Sequence, residues 1–110
     1  MNNVCENDLR KMSAAELSKA ILAKELDDPS LTFAAEILGE VDTAHEFFPA
    51  LVELLHHEKA YVREGAVYGL WNNCHDETSG TAWYIRDCLR EVSIADLSPE
   101  VRAVAREALE

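Results

Sequence analysis

The chain contains 110 residues, of which 48% are hydrophobic and 28% are charged, and this predicts one small globular domain with a modest core. Twenty-one acidic and ten basic residues give a net charge of −11, and the sequence pI is near 4.7. Because this negative field repels phosphates and anionic lipids, we expect no binding to nucleic acid or membrane surfaces and a preference for basic partners.

The cysteines are Cys5, Cys74 and Cys88, an odd number without close spacing, so they predict no disulfide framework. The N-terminal residues lack the apolar segment of a secretion signal, and no stretch is long and apolar enough to span a bilayer. We therefore expect a cytoplasmic protein with reduced thiols.

Residues 1–12 are polar and are predicted to be frayed, with Leu9 and Met12 docking onto the first helix. Ser13 and Glu16 have the spacing of a capping box, which opens that helix.

The first helix is predicted to end at about Leu26, where two aspartates and a proline follow. Asp28 is suited to cap a second helix and Pro29 to occupy its first position. This second helix is predicted to end near residues 39–41.

Thr43 and Glu46 predict a second capping box, and the third helix follows with Pro49 in its early turns, where a missing backbone donor is tolerated. A short turn at residues 58–60 leads into a central fourth helix. Its apolar residues recur at a spacing of four and form one stripe: Val62, Ala66 and Leu70.

Residues 72–81 are polar and predict a loop, and residues 82–92 predict a fifth helix. Ser98 and Pro99 predict the cap and first position of a sixth helix. The stripe of the central helix returns in this last helix as Val101, Ala105 and Leu109.

No segment shows the strict alternation typical of strands, so the predicted fold class is all-α. The pattern repeats with a period of roughly 32 residues, lengthened in the second interval by the polar loop, and this period is typical of solenoids. We predict one domain over residues 1–110 that consists of three stacked helical hairpins in a short right-handed α-solenoid. The repeats are residues 13–41, 43–73 and 81–110.

These residues resemble the HEAT repeat, particularly the short bacterial form also found in phycobiliprotein-lyase-like proteins. The pattern is an apolar helix, an acidic turn and then Val-Arg-x-x-Ala, seen as LVELLHHEKAYVREGAVYGL at 51–70 and LSPEVRAVAREAL at 97–109. ELDDPSLTFAAEILG at 25–39 is a weaker copy without the arginine. The resemblance covers residues 14–110 and implies a protein-binding scaffold, although some HEAT-like proteins are DNA-repair glycosylases and some attach chromophores.

In HEAT-like stacks the repeated arginine ties one repeat to acidic residues near the turns, so the resemblance implies a structural role for Arg63 and Arg102. Gly65 and Gly69 lie inside the central helix, where each glycine costs about 1 kcal/mol relative to alanine. We expect a neighbouring helix to approach closely at these two positions.

We expect no enzymatic activity, no catalytic residues, no cofactor and no metal. His56 and His57 are adjacent and point about 100° apart on a helix, and no cysteine pair has zinc-site spacing. The chain also has no glycine-rich phosphate loop and no serine nucleophile elbow.

The candidate binding residues lie opposite the core stripe of the central helix, where aromatic side chains alternate with polar ones. They are Tyr61, Glu64, Tyr68, Trp71 and Asn72, continued by His75, with Glu36 and Glu40 aligned in repeat one and Glu107 in repeat three. Aromatic anchors within a charged rim are typical of protein interfaces. The alternative is that the stack curls enough to bury Tyr68 and Trp71.

We therefore predict a monomeric, acidic module that masks a basic protein surface, most concretely an immunity or inhibitor protein for a cationic nuclease or toxin. A regulatory or assembly scaffold is the alternative interaction function. A HEAT-like enzyme or nucleic-acid binder is the third alternative, and it would need a basic concave face.

Overall fold

The computed structural model describes residues 6–75 and 79–110, and the regular structure in these ranges is helical, without β-strands. This confirms the all-α fold class. The seven described helices are α1 (Glu6–Arg10), α2 (Ala14–Leu22), α3 (Asp28–Val41), α4 (Phe48–Leu54), α5 (Ala60–Trp71), α6 (Gly80–Ala95) and α7 (Pro99–Leu109).

The capping box at the start of α2 is confirmed, because Ser13 Oγ accepts from the Glu16 N–H at 3.1 Å and Glu16 Oε1 accepts from the Ser13 N–H at 3.0 Å. The helix ends at Leu22, earlier than predicted. Lys24 adopts a left-handed conformation with φ of 59°, and its N–H donates to the Ile21 carbonyl. The next N–H along the chain donates to the Ala20 carbonyl, which completes a Schellman motif and stops the helix.

The cap of α3 is Asp27 rather than Asp28, because Asp27 Oδ1 accepts from the Ser30 N–H at 2.9 Å. Pro29 is the second residue of the helix rather than the first, because the helix begins one residue earlier than predicted, and the helix ends at Val41 as predicted.

The second predicted capping box, at Thr43 and Glu46, is wrong. Helix α4 begins only at Phe48, and no side chain caps it. Asp42 binds the donors of this turn instead, since its carboxylate accepts from the N–H of Glu46 at 2.9 Å and of Phe47 at 2.7 Å. Its carboxylate lies in the interior, and Asp42 is only 3% exposed.

The second half of the chain follows the predicted order with different bounds. In the predicted 72–81 loop, residues 72–74 form a turn, residues 76–78 lie outside the described ranges, and residues 80 and 81 already belong to α6. Helix α6 is longer than predicted at both ends and is capped by Ser79 Oγ, which accepts from the Ala82 N–H. Ser98 caps α7 as predicted, since its Oγ accepts from the Val101 N–H.

The core lies between the helices where the apolar stripes predicted it. The stripe residues with no exposed surface are Val62, Ala66, Leu70, Val101 and Ala105. Leu109 is half-buried at the edge of the core. The expectation that residues 6–12 fray is wrong, because Leu9 is completely buried and α1 packs on α3 rather than on the first long helix. Residues 1–5 lie outside the described ranges.

Helices α3 and α5 touch backbone to backbone, which confirms the close approach expected at the glycines. A Cβ placed on Gly69 would come 2.4 Å from the Ala35 carbonyl oxygen, and one on Gly39 would come 2.3 Å from the Gly69 oxygen. A Cβ on Gly65 would meet Thr32 at 3.0 Å. We call this line of backbone contact between α3 and α5 the glycine seam. Glycine is required there because any side chain would separate the two helices.

The helix contacts follow a simple order. Helices α3, α5 and α7 contact one another in sequence and form one row, while α2, α4 and α6 pack against α3, α5 and α7 respectively. The domain measures 34 × 30 × 19 Å, and the shortest extent matches two helix layers, since a helix with its side chains is about 10 Å across.

The structural role of the two repeated arginines is confirmed. Arg63 donates to both carboxylate oxygens of Asp96, at 2.9 and 3.1 Å, and also to the carbonyls of His57 at 2.8 Å and Glu58 at 3.1 Å. Arg102 donates to the Asp96 carbonyl. Arg63 therefore links the turn before α5 to the turn before α7 through a nearly buried ion pair.

Candidate protein-binding site

The candidate binding residues lie on the row of α3, α5 and α7, with α5 in the middle. We call this surface the aromatic–acidic face; it comprises Tyr61, Glu64, Tyr68 and Trp71 of α5, Asn72 at the C-cap of this helix, Glu36 and Glu40 of α3, and Glu107 of α7. Because the row places α3 on one side of α5 and α7 on the other, carboxylates flank the aromatic residues from both directions.

Tyr68 and Trp71 form a parallel stack at the centre of the face. Their ring centroids are 6.0 Å apart and their planes differ by 6°. Tyr68 is 39% exposed, whereas Trp71 is half-buried and packs against the core. Residues three apart are neighbours on a helix, so the anchored Trp71 ring supports the exposed Tyr68 ring. The alternative in which the stack buries Tyr68 is therefore wrong, and Trp71 is partly a core residue.

An open pocket lies beside this stack. It has a volume of about 360 Å³, and its lining residues are Glu36, Glu40, Tyr68, Trp71 and Asn72. Five of the candidate residues thus share one concave site. They converge because the glycine seam brings the backbones of α3 and α5 into contact, so the side chains beside the seam face the same space.

The pocket has a strongly negative environment. Burial raises the pKa of Glu36 above its ordinary value, and the charges of Glu40, Glu6 and Glu64 raise it further, while Arg10 lowers it. Partial desolvation and mutual repulsion thus disfavour the ionised form of Glu36 in the absence of a bound cation.

Carboxylates from all three helices of the row affect the pKa of Tyr68. Burial raises the pKa of Tyr68, and the charges of Glu64, Glu107 and Glu36 raise it further. Glu107 is therefore electrostatically part of the face although it does not line the pocket.

Helix α1 adds two charged residues to the face that sequence reasoning missed. Arg10 Nη1 lies 3.5 Å from Glu40 Oε2, and Arg10 Nε lies 3.3 Å from Glu6 Oε2. These pairs are half-exposed, so they are worth little in stability. The prediction treated residues 1–12 as frayed, and no local signal indicated that they pack on α3.

Glu64, like Glu107, does not line the pocket, and two further candidate residues, Tyr61 and His75, also lie outside it. Tyr61 is 45% exposed two turns before Tyr68, and its carbonyl accepts from Thr32 Oγ1 at 3.4 Å. His75 is exposed after the end of α5, and its Nε2 lies 3.7 Å from Cys74 Sγ. Neither side chain lines the pocket.

Residues 6–75 and 79–110 contain no group of three His, Cys, Asp or Glu side chains placed to hold a metal ion. Among the helices in these ranges, none combines the length and the apolar character that crossing a bilayer requires.

The chain matches no protein-family model, no curated protein and no solved structure in the comparisons made. The aromatic–acidic face is therefore interpreted from its own chemistry. An aromatic surface beside several carboxylates favours cations that also have an apolar part, such as lysine and arginine side chains.

Proposed function

We propose that this chain is a non-enzymatic, HEAT-like α-solenoid that binds a basic protein surface through the aromatic–acidic face. Its most concrete form is an immunity or inhibitor protein that masks a cationic nuclease or toxin in the cytoplasm, acting as a monomer. The observation that supports this proposal most directly is the pocket in which the Tyr68–Trp71 stack meets Glu36 and Glu40.

The solenoid is part of the proposal. The three hairpins would be α2–α3, α4–α5 and α6–α7, stacked as a short right-handed superhelix with residues 14–110 as the repeated part. The ordered contacts from α3 to α5 to α7 support it, as does the arginine link between the turns of the second and third hairpins.

The pocket offers a basic side chain two kinds of contact. A guanidinium or ammonium group can lie over the exposed Tyr68 ring, a contact worth about 0.5–2 kcal/mol. The same group then comes within reach of the Glu36 and Glu40 carboxylates. Arginine suits the site better than lysine because its planar group stacks on a ring and binds carboxylates with two hydrogen bonds.

The net charge of −11 assists the encounter with a basic partner, since complementary fields raise the association rate. The association rate should fall as added salt shortens the screening length to about 10 Å. Because a bound cation favours ionised Glu36, affinity should also increase as the pH rises through the pKa of this residue.

The test is affinity capture from a bacterial lysate at low salt, with the wild-type chain and single variants as bait. Glu36→Lys and Tyr68→Ala should each lose a basic protein that the wild type retains. Glu25→Lys is the matched control, because it makes the same charge change at an exposed site outside the face. If the wild type retains no basic protein, or Glu36→Lys retains it equally well, the proposal is wrong.

An assembly scaffold is a second candidate function, favoured by the groove between α4 and α6 in the other row of helices. A nucleic-acid-binding function is disfavoured. The cation that the structure adds to the face, Arg10, lies next to Glu6 and Glu40 and does not form a basic patch.

A further inference from the structure

Helices α4 and α6 lie next to each other in their row but leave a groove between them. In the opposite row α5 packs extensively against α7, whereas α4 and α6 make little contact. Helix α4 has 7 residues and α6 has 16, so α4 can lie beside only part of α6. Two pockets that share Val52 and His56 as lining residues make the groove continuous along α6.

The groove has both apolar and polar lining residues, and His56 lines both of its pockets. Its apolar lining comes from both helices and the turn after α4: Phe48, Val52, Leu55, Tyr84, Val92 and Ala95. Tyr84 and Ala95 are separated by about 16 Å along the axis of α6, which is three helical turns. At one end Phe48 and Tyr84 meet edge to face, with centroids 5.8 Å apart, and Tyr84 remains 51% exposed.

Cys88 lies inside the groove but has the character of an apolar residue. Burial raises the pKa of the Cys88 thiol and the charges of Glu91 and Asp87 raise it further, while a hydrogen bond with Tyr84 lowers it. The thiol is therefore protonated at neutral pH and is a poor nucleophile. The groove thus has the chemistry of a docking surface rather than of a catalytic site.

The rim of the groove is acidic. Glu53 and Glu91 are exposed and line its pockets on the α4 and α6 sides respectively. Together with the net charge of −11, they favour an occupant with positive charges beside an apolar surface. A second copy of this chain would also carry a net charge of −11, so charge repulsion opposes the binding of a second copy in the groove.

We propose that the groove between α4 and α6 binds an amphipathic α-helix of another protein, with lysine or arginine along the edges of its apolar face. The groove runs three turns along α6, with α4 and the turn after it on the opposite side, and this is long enough for a helix that buries residues at i, i+3, i+4 and i+7. The basic edges then lie against Glu53 and Glu91. This surface is separate from the aromatic–acidic face, so the inference does not depend on the function proposed there.

The experiment uses a fluorescently labelled synthetic peptide of about 14 residues, built from leucine and lysine with the leucines at helical spacing. One control peptide replaces lysine with glutamate, and another alternates leucine and lysine with the period of a strand. Fluorescence anisotropy measures affinity for the full chain, and backbone NMR shifts locate the bound peptide. We expect tight binding of the basic helical peptide alone, with shifts along α4 and α6.

Variants separate the groove from the rest of the acidic surface. Tyr84→Ala should weaken peptide binding about tenfold or more, because truncating an exposed aromatic anchor commonly has this effect. Glu91→Lys, at an exposed position, should weaken it several-fold. Trp83→Ala is the matched control, because this residue is similarly exposed on α6 but points about 100° away from Tyr84 and does not line the groove.

Three results would overturn the proposal. The first is no binding of the basic helical peptide. The second is binding that survives Tyr84→Ala and Glu91→Lys but is lost in Glu36→Lys, which would assign it to the aromatic–acidic face. The third is a wild-type chain that dimerises in light scattering and becomes monomeric in Tyr84→Ala, which would make a second copy the occupant.

Discussion

The seam between α3 and α5 allows a quantitative test of the packing, through Gly69→Ala. The new Cβ would lie 2.4 Å from the Ala35 carbonyl oxygen and 3.1 Å from the Leu51 methyl groups. An ordinary van der Waals contact needs a separation about 1 Å larger than the 2.4 Å between the new Cβ and this oxygen. The two helices must therefore move apart along their shared length. Overpacking of this kind costs about 1–3 kcal/mol, and a gap of 0.5–1 Å forfeits a quarter to a half of each dispersion contact in the seam.

Alanine also favours a helix by about 1 kcal/mol over glycine, and this gain offsets part of the cost. We expect a net destabilisation of about 2 kcal/mol, because the obstacle is backbone and cannot rotate away. The assay is urea unfolding followed by circular dichroism. Gly80→Ala is the matched control: a Cβ there has no neighbour within 4 Å, so this variant should be unchanged or up to about 1 kcal/mol more stable.

Gly65→Ala should have an intermediate effect, since its Cβ would first meet the Thr32 methyl group at 3.0 Å and the Thr32 carbonyl at 3.1 Å. The order of stability should therefore be Gly80→Ala, then Gly65→Ala, then Gly69→Ala. A Gly69→Ala chain as stable as the wild type, with the same urea dependence, would refute the argument that the two backbones touch.

Three further predictions concern other parts of the chain. Burial alone would raise the pKa of Asp96, but hydrogen bonds and charge from Arg63 lower it below its ordinary value. The ionised Asp96 carboxylate therefore stabilises the fold at neutral pH, and this stabilisation is lost as the pH falls through the folded-state pKa. Urea unfolding from pH 7 to pH 2 should show this loss, and Asp96→Asn should be less stable at pH 7 and less sensitive to acid. Lys24→Gly should stabilise the chain by about 0.5–1 kcal/mol in thermal unfolding, because glycine adopts the left-handed conformation of this position without strain; a loss of stability would contradict the Schellman motif. Ala66→Leu should destabilise the chain by about 1–3 kcal/mol, because Ala66 is completely buried, whereas Tyr68→Ala should change the stability by less than about 1 kcal/mol. Equal losses of stability in the two variants would mean that Tyr68 belongs to the core.

Much of the candidate site could be predicted from local sequence patterns. The helical period that buries Val62, Ala66 and Leu70 also determines which α5 residues point away from the core, and this placed Tyr68 on the surface. Alignment of the predicted repeats put Glu36 and Glu40 of α3 beside it, and in the structure both line a pocket with Tyr68. The surface position of Tyr68 was predictable because it depends on residues three or four apart on one helix.

The helix caps show which features depend on neighbouring residues and which depend on tertiary packing. Ser13 and Ser98 cap helices as predicted, since a capping side chain binds an N–H only two or three residues away. Thr43 has the same local pattern but caps nothing, because Asp42 is held in the interior and accepts the donors of that turn. Burial of one aspartate, a tertiary effect, determined where α4 begins.

The amino-acid sequence by itself determined the helical class, the order of the helices from α2 to α7 and the face that each main helix buries, because these depend on periodicity and on contacts within one turn. Only the tertiary structure decided that Arg10 meets Glu40, that Trp71 packs partly buried against the core, and that α4 and α6 leave a groove. Each of these features depends on the distance and angle between elements far apart in the chain, which the packing of whole helices sets.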